Sequence, residues 1–138
     1  MPQKILHETD KIQMFIDESV PCFVGVWNGF IPSKEFHENM LKKVELLKEH
    51  CPKYPKLHSL VDARTMGVIS RNDLQWATEE INPLLLDAGV KYEAFVISKD
   101  AFGQIAVNRY VTQTLKQGSF HVQIFDDIES AKQWLKSV

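Results

Sequence analysis

Apolar residues along the chain recur with two different periods, and the switch between them lays out the fold. From Lys11 to Asp17, Ile12, Met14 and Ile16 alternate with Gln13, Phe15 and Asp17. Period two gives a strand one richer apolar face. Cys22 to Trp27 is almost wholly apolar and rich in β-formers, which suits a strand covered on both faces. The short Glu18-Ser19-Val20 connection predicts an antiparallel hairpin between the two, and Lys4 to His7 reads as a further strand ahead of it. After Pro32 the period changes. Phe36, Met40, Val44 and Leu47 follow one another at spacings of four, four and three, one face of a helix. Ser33 is placed to cap it, and Pro52 to stop it.

Leu57 to Asp62 then reads as a short strand. Ser70 is placed to cap the next helix, with Leu74, Ala77, Ile81 and Leu85 on its inner face and Gly89 closing it in the left-handed conformation. Pro83 removes a backbone donor, which predicts a kink, or a restart capped by Asn82. Tyr92 to Ser98 contains the run Ala94-Phe95-Val96-Ile97, typical of a central parallel strand. Asp100 is expected to cap a third helix ending near Gly118, and His121 to Phe125 is the last strand. Asp126 and Glu129 form a capping box for a final helix that buries Ile128, Ala131, Trp134 and Leu135.

The predicted order is β-β-β-α-β-α-β-α-β-α. Strands alternating with helices require right-handed crossovers and a mainly parallel sheet. The expectation is an α/β domain: a mixed, mainly parallel sheet with an N-terminal antiparallel hairpin and about four helices. At 138 residues the chain fits one domain, 1–138.

Composition narrows the classes. With 44% hydrophobic and 25% charged residues, disorder and collagen-like repetition are excluded. A net charge of −2 favours neither a nucleic-acid backbone nor an anionic membrane. Two cysteines, Cys22 and Cys51, make no disulfide framework, which points to a reducing compartment. No apolar stretch approaches the ~18–20 residues needed to span a bilayer, and residues 1–10 do not resemble a signal peptide. A cytoplasmic protein is expected.

Motifs that carry chemistry are scarce. His7, His37, His50, His58 and His121 are scattered, and no CxxC occurs, so no metal spacing is present. Phosphate-binding glycine loops and a GxSxG elbow are missing as well. Cys22, in the middle of a strand, reads as an inert core thiol. No cofactor is expected.

One feature rises above this background. Ligands of open parallel sheets bind beyond the carboxyl ends of the strands. Those ends here read Trp27-Asn28-Gly29-Phe30, Asp62-Ala63-Arg64, Ser98-Lys99-Asp100 and Phe125-Asp126-Asp127. Helix N-termini on that rim attract anions. Arg64, Arg71 and Lys99 add positive charge, opposed by Asp62, Asp100 and Asp126. Each residue also has a plainer explanation: Asp100 and Asp126 as helix caps, Asp62 as a partner of Arg64, Gly29 as a turn. Trp76 lies off the main apolar face of its helix, marking either core packing or a surface contact. Phe102 opens the third helix apolar-first, together with Ile105 and Ala106.

These stretches resemble a known group. Trp27-Asn28-Gly29-Phe30, Leu60-Val61-Asp62-Ala63-Arg64 with Gly67-Val68-Ile69-Ser70, Ala94-Phe95-Val96-Ile97, Ala101-Phe102-Gly103-Gln104, and Phe125 to Ala131 with Trp134-Leu135 are similar in order and spacing to the bacterial SpoIIAA-like group of the STAS superfamily. That group, of unknown function, is also described as STAS/CRAL–TRIO-like. The resemblance implies a β/α superhelical domain without enzymatic activity. STAS domains bind partner proteins, some switched by phosphorylation of a serine at the start of the second helix. On that pattern Asp62 falls on the strand-end Asp, Ser70 on the acidic residue before the phosphorylated serine, and Arg71 on that serine. The usual Asp-Ser pair is absent, and a guanidinium cannot take a phosphoryl group in the serine's place.

Three readings follow. The first is a non-catalytic interaction domain whose partner is another protein or a second copy of the chain. The second is a carrier of a small apolar ligand or lipid, motivated by Trp27, Phe30 and Phe102. It calls for a cavity of a few hundred Å³. The third is an enzyme on the Asp62, Arg64 and Asp100 rim, which calls for convergence of those groups on one substrate position. The candidate binding residues are Trp27, Asn28, Phe30, Asp62, Arg64, Ser70, Arg71, Lys99, Asp100 and Phe102.

Overall fold

The computed structural model describes residues 3–98, 108–109, 112 and 120–138. Strands β1 (Gln3–Glu8), β2 (Ile12–Asp17) and β3 (Cys22–Gly29) are followed by helix α1 (Ser33–His50) and a 3₁₀ turn, Cys51–Lys53. Next come β4 (His58–Met66), α2 (Arg71–Trp76), a π turn (Ala77–Ile81), α3 (Asn82–Ala88) and β5 (Tyr92–Val96). The series ends with β6 (His121–Phe125) and α4 (Ile128–Ser137). Of the expected third helix, Lys99, Asp100 and Phe102 lie outside the described residues, whereas residues 108, 109 and 112 are described and are helical. Three helical bodies are described over their full lengths: α1, the continuous α2–π–α3 stretch, and α4.

All six strands form one sheet in chain order, β1-β2-β3-β4-β5-β6. The pairs β1/β2 and β2/β3 are antiparallel, whereas β3/β4, β4/β5 and β5/β6 are parallel. This is the predicted mixed sheet, and β5 is flanked by parallel neighbours on both sides. Asp17 holds the hairpin turn, its Oδ1 accepting from Ser19 N–H at 3.0 Å and Ser19 Oγ at 2.6 Å. A bulge interrupts the β1 ladder between Ile5 and His7. There Leu6 packs on the core, and His7 Nε2 meets Asn39 Oδ1 of α1 at 2.9 Å.

The strand-lining residues divide between two cores. Met14, Ile16, Phe23, Val61 and Phe95 pack with Phe36, Val44 and Leu47 of α1 and with Leu74, Ile81 and Leu85 of the α2–α3 stretch. On the other face Phe15, Cys22, Val24, Leu60 and Val96 pack with Ala131 and Leu135 of α4. Each fully buried large apolar side chain contributes ~1.5–3 kcal/mol, so the α1 face carries most of the burial.

Four local expectations are corrected. Pro32, not Ser33, is the N-cap of α1; Ser33 sits in the first turn and its hydroxyl reaches outside the helix. β4 runs on to Met66, because β3 also continues and pairs Asn28 with Thr65 and Gly29 with Met66 beyond a bulge. Asp62 therefore lies inside a strand rather than at its end. Of the two outcomes expected at Pro83, a kink or a restart capped by Asn82, the capped restart does not occur. The missing N–H and the ring of Pro83 disturb the preceding turn, which widens to a π turn over Ala77–Ile81. Asn82 stays right-handed helical at φ −56°, ψ −43°. Finally, the cap of α4 is Asp127, not Asp126. Its Oδ1 accepts from Ser130 N–H at 2.7 Å, and Oδ2 from Ser130 Oγ at 2.9 Å.

Candidate functional site

Parallel strands with helical crossovers put the N-termini of α1 and α2 at the carboxyl ends of β3 and β4. Ser70 caps α2 as predicted, its Oγ accepting from Asp73 N–H at 3.1 Å. The Asp73 side chain then turns across to α1. Its Oδ2 accepts from Ser33 Oγ at 2.7 Å, and its Oδ1 lies 2.9 Å from His37 Nε2. The His37 ring stacks on Trp76, centroids 3.7 Å apart and planes 10° apart, with Phe36 edge-on to the same indole at 6.2 Å. Burial alone would raise the Asp73 pKa, but hydrogen bonds from Ser33, His37 and Ser70 hold it below the ordinary carboxylate value.

A nucleophilic triad places the imidazole between hydroxyl and carboxylate. Here the carboxylate is in the middle, and the serine proton goes to it. The group is a clamp between two helix starts. Trp76, which the sequence left between core and surface, is a wall of that clamp.

Beneath the clamp, between α1, α2 and the sheet, lies an apolar cavity of about 50 Å³ walled by Trp27, Phe36, Met66, Ile69 and Phe95. Lys43 and Glu93 also line it. Lys43 Nζ is 2.9 Å from Glu93 Oε2, which also accepts from Ser59 Oγ at 2.8 Å. All three residues are buried. Ligand cavities usually measure ~300–1,000 Å³, so this space is smaller than the carrier reading called for.

The predicted rim residues do not form one constellation. Trp27 is buried in the cavity wall. Asp62 aligns with Val26 and Val96, so it belongs to the α4 face of the sheet. Its two oxygens accept from Arg64 Nε and Nη2, both at 2.9 Å, and Oδ1 also takes the Arg64 N–H at 3.2 Å. The hydrogen bonds to Asp62 raise the Arg64 pKa, against a smaller opposing effect of burial. Asn28 Oδ1 accepts from Thr65 Oγ1. Ser70 and Arg71 begin α2 on the clamp side, both exposed. Strand order never reverses among the parallel strands, so the crevice that a switch point opens in other α/β sheets has no counterpart here.

The rim does bring two apolar side chains into the open. Phe30 and Val68 are each 66% exposed. Their loops touch: Gly67 N–H donates to Gly29 O at 2.9 Å, and a Cβ on Gly67 would stand 3.2 Å from that oxygen and 3.3 Å from Phe30 Cα. Gly29 itself has φ +71°, a conformation that favours glycine. Val68 was not singled out from the sequence as a site residue; neither were Ser33, His37, Asp73, Lys43 and Glu93. One signal was present: Ser70 and Asp73 stand in the S-x-x-D spacing of a capping box.

Elsewhere, Cys22 behaves as expected of a core thiol. Burial, then the charge of Asp17, pushes its pKa up to about 12, which keeps it protonated. Among the described residues no cluster of His, Cys, Asp and Glu is placed to hold a metal ion, and no helix is long and apolar enough to cross a membrane.

Neither a family profile nor a curated protein sequence matches the chain. Among solved structures it is similar to an uncharacterized protein of the DUF3478 family with a SpoIIAA-like fold, from Shewanella loihica PV-4. That match covers 96% of this chain and 91% of the other at 15% identity, with a TM-score of 0.51. The six-stranded mixed sheet described above, with its N-terminal antiparallel strands, is therefore a SpoIIAA-like fold.

Proposed function

We propose that this chain is a non-catalytic, STAS-like interaction domain of the cytoplasm that binds a partner protein, or a second copy of itself, through the carboxyl-end rim. The observation that carries the reading is that Phe30 and Val68 are each two-thirds exposed, on loops joined by the Gly67–Gly29 hydrogen bond. The Ser33–Asp73–His37 clamp fixes the helix starts behind those loops. A surface held in place before binding loses less entropy on association. Arg71 at the start of α2 is exposed and stands where the STAS pattern has its phosphorylated serine, so the contact works without that switch.

The test compares wild type with a Phe30→Asp/Val68→Asp variant. Sedimentation reads self-association, and affinity capture followed by a direct binding assay with the purified partner reads hetero-association. The variant is expected to lose binding at least tenfold while its melting temperature stays unchanged, because both side chains are exposed. A wild-type chain that is strictly monomeric and binds nothing, or a variant that binds equally well, overturns the reading.

The carrier reading keeps one observation in its favour, the aromatic walls of the cavity under the clamp. It requires the cavity to widen on loading, and native mass spectrometry of the gently purified protein tests it: a mass equal to the chain alone dismisses it. An enzyme on Asp62 draws no support from a carboxylate whose oxygens both accept from Arg64.

A further inference from the structure

The parallel strands have a second pole. At their amino ends α1 stops at His50 and α3 at Ala88, and the chain re-enters the sheet at His58 and Tyr92. A cleft of about 530 Å³ opens there, within the ~300–1,000 Å³ typical of small-molecule sites. Two local features shape it. Pro52 and Pro55 restrict the backbone of the connection 51–57. Gly89, at φ +117°, turns α3 into β5 so closely that a Cβ there would meet Cys51 Sγ at 3.6 Å.

The charged side chains lining the cleft are Lys56 and Lys91, and no Asp or Glu among the described residues lines it. Val138, the last residue of the sequence, also lines the cleft, and its main-chain oxygen takes one of the three donors of the Lys56 ammonium and offsets part of that charge, which leaves Lys91 as the principal cation. Tyr54, His58 and Tyr92 add flat rings. His58 Nδ1 accepts from Lys91 N–H at 3.4 Å, and its ring lies edge-on to Tyr92 with centroids 5.0 Å apart. Burial, then the charges of Lys56 and Lys91, push the His58 pKa down to about 4. Both lysines line this one cleft. The helix C-termini at this pole would oppose an anion, but Leu47, Leu85 and Leu86 carbonyls already accept from Cys51, Val90 and Gly89 N–H groups.

We propose that this cleft binds a small organic anion, its phosphate or carboxylate held by Lys56 and Lys91 and its flat apolar body against Tyr54 and Tyr92. The site is separate from the rim and does not depend on it.

Amide shifts in the full chain are followed by NMR at low salt during titration with phenyl phosphate, benzoate, inorganic phosphate and phenol. Residues 56–58 and 89–92 are expected to shift saturably with phenyl phosphate or benzoate, with a Kd of ~1 mM or tighter. Lys91→Gln should weaken binding about tenfold or more, 1 M salt should weaken it further by screening, and Lys42→Gln on the outer face of α1 should leave it unchanged. Binding of only one of the two acids upholds the site and names its headgroup. The proposal is overturned if neither acid saturates, if phenol binds as tightly as phenyl phosphate, if inorganic phosphate matches phenyl phosphate, or if Lys91→Gln has no effect.

Discussion

Protonating His58 should unfold this protein by degrees, and the size of the effect follows from where the ring sits. His58 begins β4 in the middle of the sheet and is 5% exposed, packed edge-on against Tyr92. Burial and the neighbouring Lys56 and Lys91 charges lower its pKa from 6.5 to about 4. The folded protein therefore resists a proton that the unfolded chain accepts. Stability from this source is complete above pH ~6.5, falls as the pH drops toward ~4, and levels off below that. The gap is worth ~3 kcal/mol at about 1.4 kcal/mol per pH unit, of which ~2 kcal/mol is gone by pH 4.5. His50 adds to the same slope, since burial and then Lys53 also lower its pKa. Asp17 and Asp73, held low by their hydrogen bonds, act only at more acid pH. The assay is urea unfolding between pH 7.5 and 4.5 for wild type and His58→Asn, with the imidazole titration followed by NMR. The variant should lose ~2 kcal/mol of pH dependence over this range. A His58 midpoint above pH 6, or equal slopes in the two proteins, refutes the reasoning.

Three further outcomes are expected. Lys43→Met removes the ammonium 2.9 Å from the buried Glu93 carboxylate and should cost ~3–5 kcal/mol, whereas Lys43→Met/Glu93→Met should recover most of it; chemical denaturation of the full cycle decides. Ser70→Ala deletes the acceptor of Asp73 N–H and should cost ~1 kcal/mol, with faster hydrogen exchange confined to the first turn of α2. Gly89→Ala forces a side chain into φ +117°, and should lower stability by ~1 kcal/mol or more while leaving the rim unaltered; melting curves measure the first effect and rim binding the second.

The parts of this fold that could be read in advance are those where one segment states its own environment. Phe36, Met40, Val44 and Leu47 declare a helix face, and all four are buried; Ala94 to Ile97 declares a strand covered on both sides. The pairing of Asp62 with Arg64 was also legible, because residues two apart in a strand share a face. The clamp was not. Ser33 and His37 lie 40 and 36 positions from Asp73, and no local pattern joins them. Lys43 hides for a different reason: it looks like one more solvated lysine of α1, yet it stands seven residues from Phe36 and three from Met40, on the buried face. Glu93 is its counterpart, sharing the row of Phe95 and Ile97. A charge at an apolar position was the signal in both. Helix boundaries failed by one residue at Pro32 and Asp127: α1 has no side-chain cap because Ser33 Oγ donates to Asp73 instead, and at α4 the cap falls to Asp127 rather than its neighbour Asp126.

That the sheet is assembled in the order the chain is read has a consequence for how it is made. Every strand after the first docks on the edge its predecessor has just left open, so growth at the ribosome needs no strand to be held in reserve and none to be inserted between two others. Only β1 to β3 pair locally; each later strand must wait for a long connection to be made before it pairs in parallel, and such pairing is slow. The unfinished edge at each stage is the one exposed to other nascent chains, and β6 is the last to cover it.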